Sequence, residues 1–189
     1  NGVELKGCLC DDCSCDSVMT DREFLSVELI YNLAKTIDLS LIEPTFKKVI
    51  DYNSAIANEG LTNYYGLSIG KLMKEGIEEG FYGNDLRNRM NGCSLPVMTT
   101  SGSGNQGMTC SLPVIKFCEL KNLPYEQLIR GLFFSHMTTI HIKSNIGRLS
   151  AYCGAICASA GVAGAISFLS GLSIEQIGYA IETTLGTMS

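Results

Sequence analysis

Residues 149 to 174 contain no Asp, Glu, Lys or Arg, and most of their side chains are Ala, Gly, Ser, Cys or Ile. A run of this length can span a bilayer. Small residues nevertheless outnumber Leu, Phe and Val in it. Neither an aromatic belt nor a Lys/Arg cluster flanks it, and membrane spans use those to fix their ends. The other way to hide such a segment is among helices, whose backbones the small side chains admit at close range. The segment therefore predicts a buried central helix, from Ser150 to near Gly171, and requires the rest of the chain to surround it.

The rest of the chain keeps helical spacing. Thr20 with Glu23 forms a capping box, in which each side chain satisfies a backbone N–H of the other residue. Phe24, Val27, Ile30, Leu33, Ala34 and Ile37 then recur at the period of one helix face. Ser40 with Glu43 predicts a second helix, with Pro44 in its first turn, Phe46, Val49, Ile50, Ile56 and Ala57 on its apolar face, and Gly60 as its stop. Residues 67–80 read as a helix interrupted by Gly70 and Gly76, and residues 85–90 as a short one ending at Asn91-Gly92. Met108 to Leu120 predicts another, with Pro113 placed early in it. Pro124 suits the first position of the next, whose face is Leu128, Ile129, Leu132, Phe133, His136 and Ile140. Ser173 with Gln176 is a third capping box, followed by Ile174, Ile177, Ala180, Ile181 and Leu185. No β alternation and no internal repeat appear.

The expected organisation is an irregular, Cys-rich segment over residues 1–19 and one helical domain over residues 20–189. The chain opens on Asn and ends in mid-pattern, as a piece of a longer protein truncated at both ends does. No signal peptide is visible. A net charge of −5, with no basic stripe, argues against nucleic acid as a partner. Nine cysteines in a chain with 46% hydrophobic residues do not resemble a small disulfide scaffold. Cys93, Cys110, Cys118, Cys153 and Cys157 lie in apolar or small-residue stretches, which fits reduced thiols packed as small hydrophobes in a cytoplasmic protein. No membrane association is expected.

Three stretches carry possible chemistry. Residues 101–107 read Ser-Gly-Ser-Gly-Asn-Gln-Gly. Such a run buries no side chains, so its use lies in backbone freedom and in the N–H groups it aims at one point before a helix. No Lys-Ser/Thr follows the last glycine and no strand precedes the first, so it is neither a P-loop nor a dinucleotide fingerprint. What remains is a flexible connector or a carboxylate-sized anion site. In the second stretch, the polar turn His141 to Ser150 feeds the small-residue helix, and Cys153 and Cys157 share a face four residues apart. They are small buried hydrophobes or ligands to a metal or cluster, and one cysteine is never a full set. The third, Cys8, Cys10, Cys13 and Cys15 with Asp11, Asp12 and Asp16, is a surface loop or a crowded zinc site. Either His136, on an apolar helix face, or His141, beside Lys143 and Arg148, could act as a base.

The blocks Met90-Asn91-Gly92-Cys93-x-Leu95-Pro96-Val97-Met98, then residues 101–107, then Arg148-Leu149-Ser150-Ala151-x-Cys153 resemble those of the cysteine desulfidase family. That family is related to the alpha chain of iron–sulfur-dependent L-serine dehydratases. The likeness runs from roughly Ala57 onward and leaves out the Cys8–Cys15 run. It implies a mainly α fold, a single helical catalytic domain around a central small-residue-rich buried helix. It also implies a 4Fe-4S cluster acting as Lewis acid in a lyase that performs β-elimination on L-cysteine or L-serine. The products are pyruvate, ammonia, and sulfide or water. By the same resemblance Cys153 is a cluster ligand and His136 and Arg148 are catalytic. Asn91, Ser101, Gly102, Ser103, Gly104, Asn105 and Gln106 hold the small amino-acid substrate. The family places two further cluster cysteines in an Ile-Cys-Asp-Gly-Ala type motif, and it also has a Gly-Cys-Thr-Glu-Pro type motif; neither has a match here, so the ligand set in this chain is incomplete. A non-catalytic helical amino-acid-binding module and a zinc-stabilised interaction domain are the alternative readings, and a homo-oligomer is compatible with each.

Overall fold

The computed structural model describes residues 24–63, 92–146 and 153–187. Among them stand six helices and no strand: α1 (Val27–Thr36), α2 (Leu39–Thr62), α3 (Gly104–Leu120), α4 (Tyr125–Ile146), α5 (Gly154–Leu169) and α6 (Ile174–Thr187). The mainly α expectation holds. The Thr20–Glu23 box, residues 67–80 and 85–90, and the Cys8–Cys15 run lie outside the described residues.

α5 is the helix the sequence placed at the centre. It packs against α3, α4 and α6, and Cys157, Ala158, Ala160, Gly161, Gly164, Ala165 and Ser167 are buried in those seams. The glycines are required by proximity. A Cβ on Gly161 would come closer than 3.0 Å to the Thr139 hydroxyl and the Ser135 carbonyl of α4, and one on Gly164 closer than 3.0 Å to the Phe134 ring. Larger side chains fill the outer layers. Phe134 of α4 stacks on Phe168 of α5 with centroids 5.2 Å apart, while Phe46 of α2 meets Phe133 edge-on at 6.4 Å. None of these helices is long and apolar enough to cross a membrane.

Several boundaries differ from the sequence reading. α1 starts at Val27, where Ser26 accepts the Leu29 N–H at 3.1 Å, so Phe24 lies outside the helix and is exposed. α2 is capped by Asp38 rather than Ser40, because the Asp38 carboxylate accepts the Ser40 N–H at 3.0 Å. Pro44 therefore falls in the second turn, not the first, and the Ser40 carbonyl loses its intrahelical donor. Gly60 does not stop α2, which runs on to Thr62 with Gly60 buried inside it. α3 begins at Gly104, four residues before Met108, which moves Pro113 into mid-helix. α5 begins at Gly154 rather than at Ser150.

The turns between helices follow the sequence closely. After α3, Asn122 takes a left-handed φ of 50° and Leu123 N–H reaches back to the Cys118 carbonyl at 2.9 Å. Gly171 does the same after α5, with Leu172 N–H on the Ser167 carbonyl at 3.1 Å. The Ser173–Gln176 box then closes reciprocally, at 3.0 and 3.3 Å. Arg130 of α4 ties α1 down by donating to the Ala34 carbonyl at 2.8 Å.

Candidate functional site

The site is assembled from a buried asparagine outward. Asn53 lies fully buried on α2. Its Oδ1 accepts the Met98 N–H at 2.9 Å, and its Nδ2 donates to Ser111 Oγ at 2.9 Å and to the Gly107 carbonyl at 3.3 Å. One side chain thus joins α2, the extended segment through Met98, and the first turns of α3. The backbone of that segment lies against α3 so closely that a Cβ on Gly107 would come closer than 3.0 Å to the Met98 carbonyl oxygen.

Residues 101–107 are not one loop. Thr100 and Ser103 exchange two backbone hydrogen bonds of 3.1 Å. Between them Ser101 (φ 48°) and Gly102 (φ 80°) both sit in the left-handed region, the pattern of a tight two-residue turn. For Ser101 that conformation costs about 1 kcal/mol. Ser103 then caps α3, accepting the Gln106 N–H at 3.3 Å, and Gly104, Asn105, Gln106 and Gly107 form the first helical turn. Exposed turn, cap and helix start thus replace the flexible connector.

Behind the turn lies a buried polar cluster. Thr100 Oγ1 is 2.8 Å from His136 Nδ1, and Cys110 Sγ is 3.5 Å from His136 Nε2 and 3.4 Å from Thr100 Oγ1. The Phe46 ring meets the imidazole edge-on, with centroids 5.3 Å apart. Burial pushes His136 down to about 4 and the Cys110 thiol up to about 12, so both are neutral near pH 7. Both imidazole nitrogens face protein partners. His141, further along α4, is partly exposed, with an Nδ1 that has no partner. Its pKa is lowered by burial.

The small-residue helix brings its own end to the same place. Cys153 is the N-cap of α5 and is exposed, and its side chain makes no capping hydrogen bond. Gly154 follows it directly beneath the Gln106 amide: a Cβ there would come closer than 3.0 Å to Gln106 Oε1. Lys143, in the last turn of α4, is buried. Burial pushes the Cys157 thiol up, while the nearby Lys143 ammonium works the other way.

Of the residues singled out from sequence, the structure packs Gln106, in the helical turn that Ser103 caps, against Gly154, the residue after Cys153, with Ser101 and Gly102 on the turn before it and His136 behind that turn. Asn91 and Arg148 lie outside the described residues. Cys153 and Cys157 part company, one exposed at the cap and the other fully buried. Asn53, Thr100 and Cys110 went unrecognised as members of this site, since nothing in their local sequence marks them. No group of three His, Cys, Asp or Glu side chains able to hold a metal occurs among the described residues. A 4Fe-4S cluster takes about three or four protein ligands. The described residues offer it Cys153 and so do not by themselves make up its site.

The chain is 60% identical to a UPF0597 protein of Fusobacterium nucleatum over 193 residues, covering 96% of this chain and 45% of that protein. It is 42% identical to a UPF0597 protein of Lachnoclostridium phytofermentans, covering 93% and 44%, and 39% identical to one of Desulfitobacterium hafniense, covering 92% and 42%. The chain therefore spans less than half the length of these relatives. No solved structure matches it. The family model described as serine dehydratase alpha chain matches residues 11–189, and with nearly the whole chain inside that match, it belongs to the serine dehydratase alpha chain family.

Proposed function

We propose that this chain forms part of the site of a lyase that eliminates water from L-serine or hydrogen sulfide from L-cysteine, the enamine left behind taking up one water to give pyruvate and ammonia. The observation that carries the reading is the packing of Gln106, in the first turn of α3, against Gly154, the residue after the exposed Cys153, in a chain of this family. Removing a proton from Cα and expelling hydroxide or hydrosulfide from Cβ needs a held carboxylate, a base and help for the leaving group. The start of α3 supplies N–H groups for a carboxylate, with Asn91 as a further substrate contact. His136 and Arg148 are the catalytic candidates. The neutral imidazole of His136 is in the form that accepts a proton, and Thr100 links it to the turn. A 4Fe-4S cluster would supply Lewis acidity to the leaving group, with Cys153 as one of its ligands.

The test uses the full-length protein, reconstituted anaerobically with iron and sulfide and assayed for pyruvate from L-serine and from L-cysteine. The wild-type protein is expected to show the visible absorption of a cluster and to release pyruvate, and Cys153→Ser to lose both. A Cys153→Ser protein that keeps its absorption and its turnover would show the ligand assignment to be wrong. A reconstituted wild-type protein that turns over neither amino acid would remove the lyase reading.

A further inference from the structure

A neutral imidazole carries one ring proton, and the bond made by one nitrogen decides whether the other holds it. Nδ1 of His136 lies 2.8 Å from Thr100 Oγ1, and Nε2 lies 3.5 Å from Cys110 Sγ. Three protons must therefore be placed among these groups: one hydroxyl, one thiol and one ring N–H. Sulfur is a weak acceptor, and the only other contact of the Thr100 hydroxyl is Cys110 Sγ at 3.4 Å. Its proton is best received by Nδ1. The ring proton then sits on Nε2 and faces the sulfur, while the thiol turns its own proton to the Gly107 carbonyl at 3.4 Å. With the ring proton on Nδ1 instead, the hydroxyl would be left with sulfur and Nε2 with a weak S–H donor. The parts are held in place from outside the cluster. Thr100 is fixed by its two backbone bonds to Ser103, and α3 is fastened to α4 beside His136 by the Ser135 hydroxyl on the Cys110 carbonyl, at 2.6 Å.

We propose that Thr100 is the positioning residue of His136: its hydroxyl locks the imidazole as the Nε2–H tautomer and is the group through which a proton reaches Nδ1. The Phe46 ring meets the imidazole edge-on, and Cys110 is fully buried in α3. Thr100, by contrast, adjoins the exposed Ser101–Gly102 turn, so the hydroxyl is the way in. The tautomer stands on the geometry alone, whereas the use of the relay rests on the lyase reading. In that elimination the Cα–H bond and the Thr100 O–H bond break, and a new Thr100 O–H bond and an Nδ1–H bond form. The electron pair left on Cα becomes the Cα–Cβ double bond as hydroxide or hydrosulfide leaves with the Cβ bonding pair. The proton gained by His136 returns through the same hydroxyl to the departing group.

Histidine-selective nitrogen-15 labelling of the full-length protein, with the ring signals read by NMR at pH 7, tests the tautomer. The His136 signals, identified by their loss in His136→Gln, are expected to show a protonated Nε2 and an unprotonated, hydrogen-bonded Nδ1. Thr100→Val keeps the shape without the hydroxyl. It should move the Nδ1 signal towards that of a free imine nitrogen and lower kcat for pyruvate release by about 100-fold, the scale of a lost proton transfer, with KM little changed. Thr100→Ser, which restores the hydroxyl, should restore both the signal and most of the rate. A proton found on Nδ1 of the wild-type protein would overturn the proposal, and that reading needs no Thr100 variant to fold. A folded Thr100→Val protein with wild-type kcat, or an inactive Thr100→Ser protein that folds, would overturn it too. The expected tautomer in a wild-type protein without turnover would count against the lyase reading alone.

Discussion

Replacing Asn53 by leucine should unfasten the segment that carries the turn. The side chain makes two hydrogen bonds of 2.9 Å, one accepted from Met98 N–H and one donated to Ser111 Oγ. At about 1 kcal/mol net for each, their loss removes about 2 kcal/mol, and the orphaned Met98 N–H adds about 1–2 more. Leucine at a fully buried position returns about 1–2 kcal/mol through apolar burial. The balance is a destabilisation of about 2 kcal/mol. With a urea slope of about 2 kcal/mol/M, typical of small proteins, the unfolding midpoint should fall by about 1 M. Ser111→Ala combined with Asn53→Leu should be less than additive by about 1 kcal/mol, since the two residues share a bond. Amide exchange should also quicken at Ser103, whose N–H closes the turn onto Thr100. A midpoint shift below about 0.3 M, or strict additivity in the cycle, would refute the view that Asn53 holds the segment by these bonds.

Four further outcomes are expected. His136 is neutral in the fold because burial pushes it down to about 4, so the unfolded chain takes up a proton that the native one refuses. Stability is then unaffected above pH 6.5 and falls by about 3 kcal/mol as pH drops towards 4. Urea midpoints across that range should flatten in a folded His136→Gln variant, and an unchanged profile would contradict the assignment. Gly161→Ala should cost about 2–3 kcal/mol through overpacking against α4, whereas Gly178→Ala, with nothing within 4 Å of its Cβ, should raise stability by about 0.5–1 kcal/mol; calorimetric melts check both signs. Iodoacetamide followed by peptide mass spectrometry should label exposed Cys153 well before buried Cys110 and Cys157, and the reverse order would disprove the exposure pattern. Gly107→Ala should perturb the junction with Met98 and lower the melting temperature, without the pH dependence that belongs to His136.

The helical class, the buried small-residue helix and the Ser173–Gln176 cap were legible because each depends on residues within one or two turns of one another. The start of α2 was misread by local competition: Asp38 reaches the Ser40 N–H first, so Ser40 becomes a donor into the cap rather than the cap itself. The 101–107 stretch was misread for a longer-range reason. Its glycines suggest a loop, yet Gly107 is helical and is held to glycine by a carbonyl nine residues earlier, in a segment with no periodicity of its own. The juxtaposition of Thr100, Cys110 and His136 needs α3 and α4 to be docked before it exists. A lone asparagine such as Asn53 in an otherwise ordinary helix gives no warning that it will bind three partners. What the sequence could foresee of the site was its polar backbone and its thiol, and what it could not was the scaffold behind them.

The scarcity of long side chains along α5 has a thermal consequence. Ala and Gly have no rotamers to lose on burial, whereas a Met, Lys or Gln gives up roughly 1.5–2 kcal/mol of side-chain freedom. The seams between α5 and its neighbours, where Ala158, Ala160, Gly161, Gly164 and Ala165 lie, were therefore closed at little side-chain entropy, with the penalty confined to the glycine backbone. Heating has correspondingly few rotational states to release there. As the temperature rises, the loosening of this molecule should begin in its outer layers, around Tyr52, Leu120 and Tyr179, which are already exposed. The α4–α5 seam, with Gly161 against Ser135 and Thr139, should remain closed until the whole fold gives way.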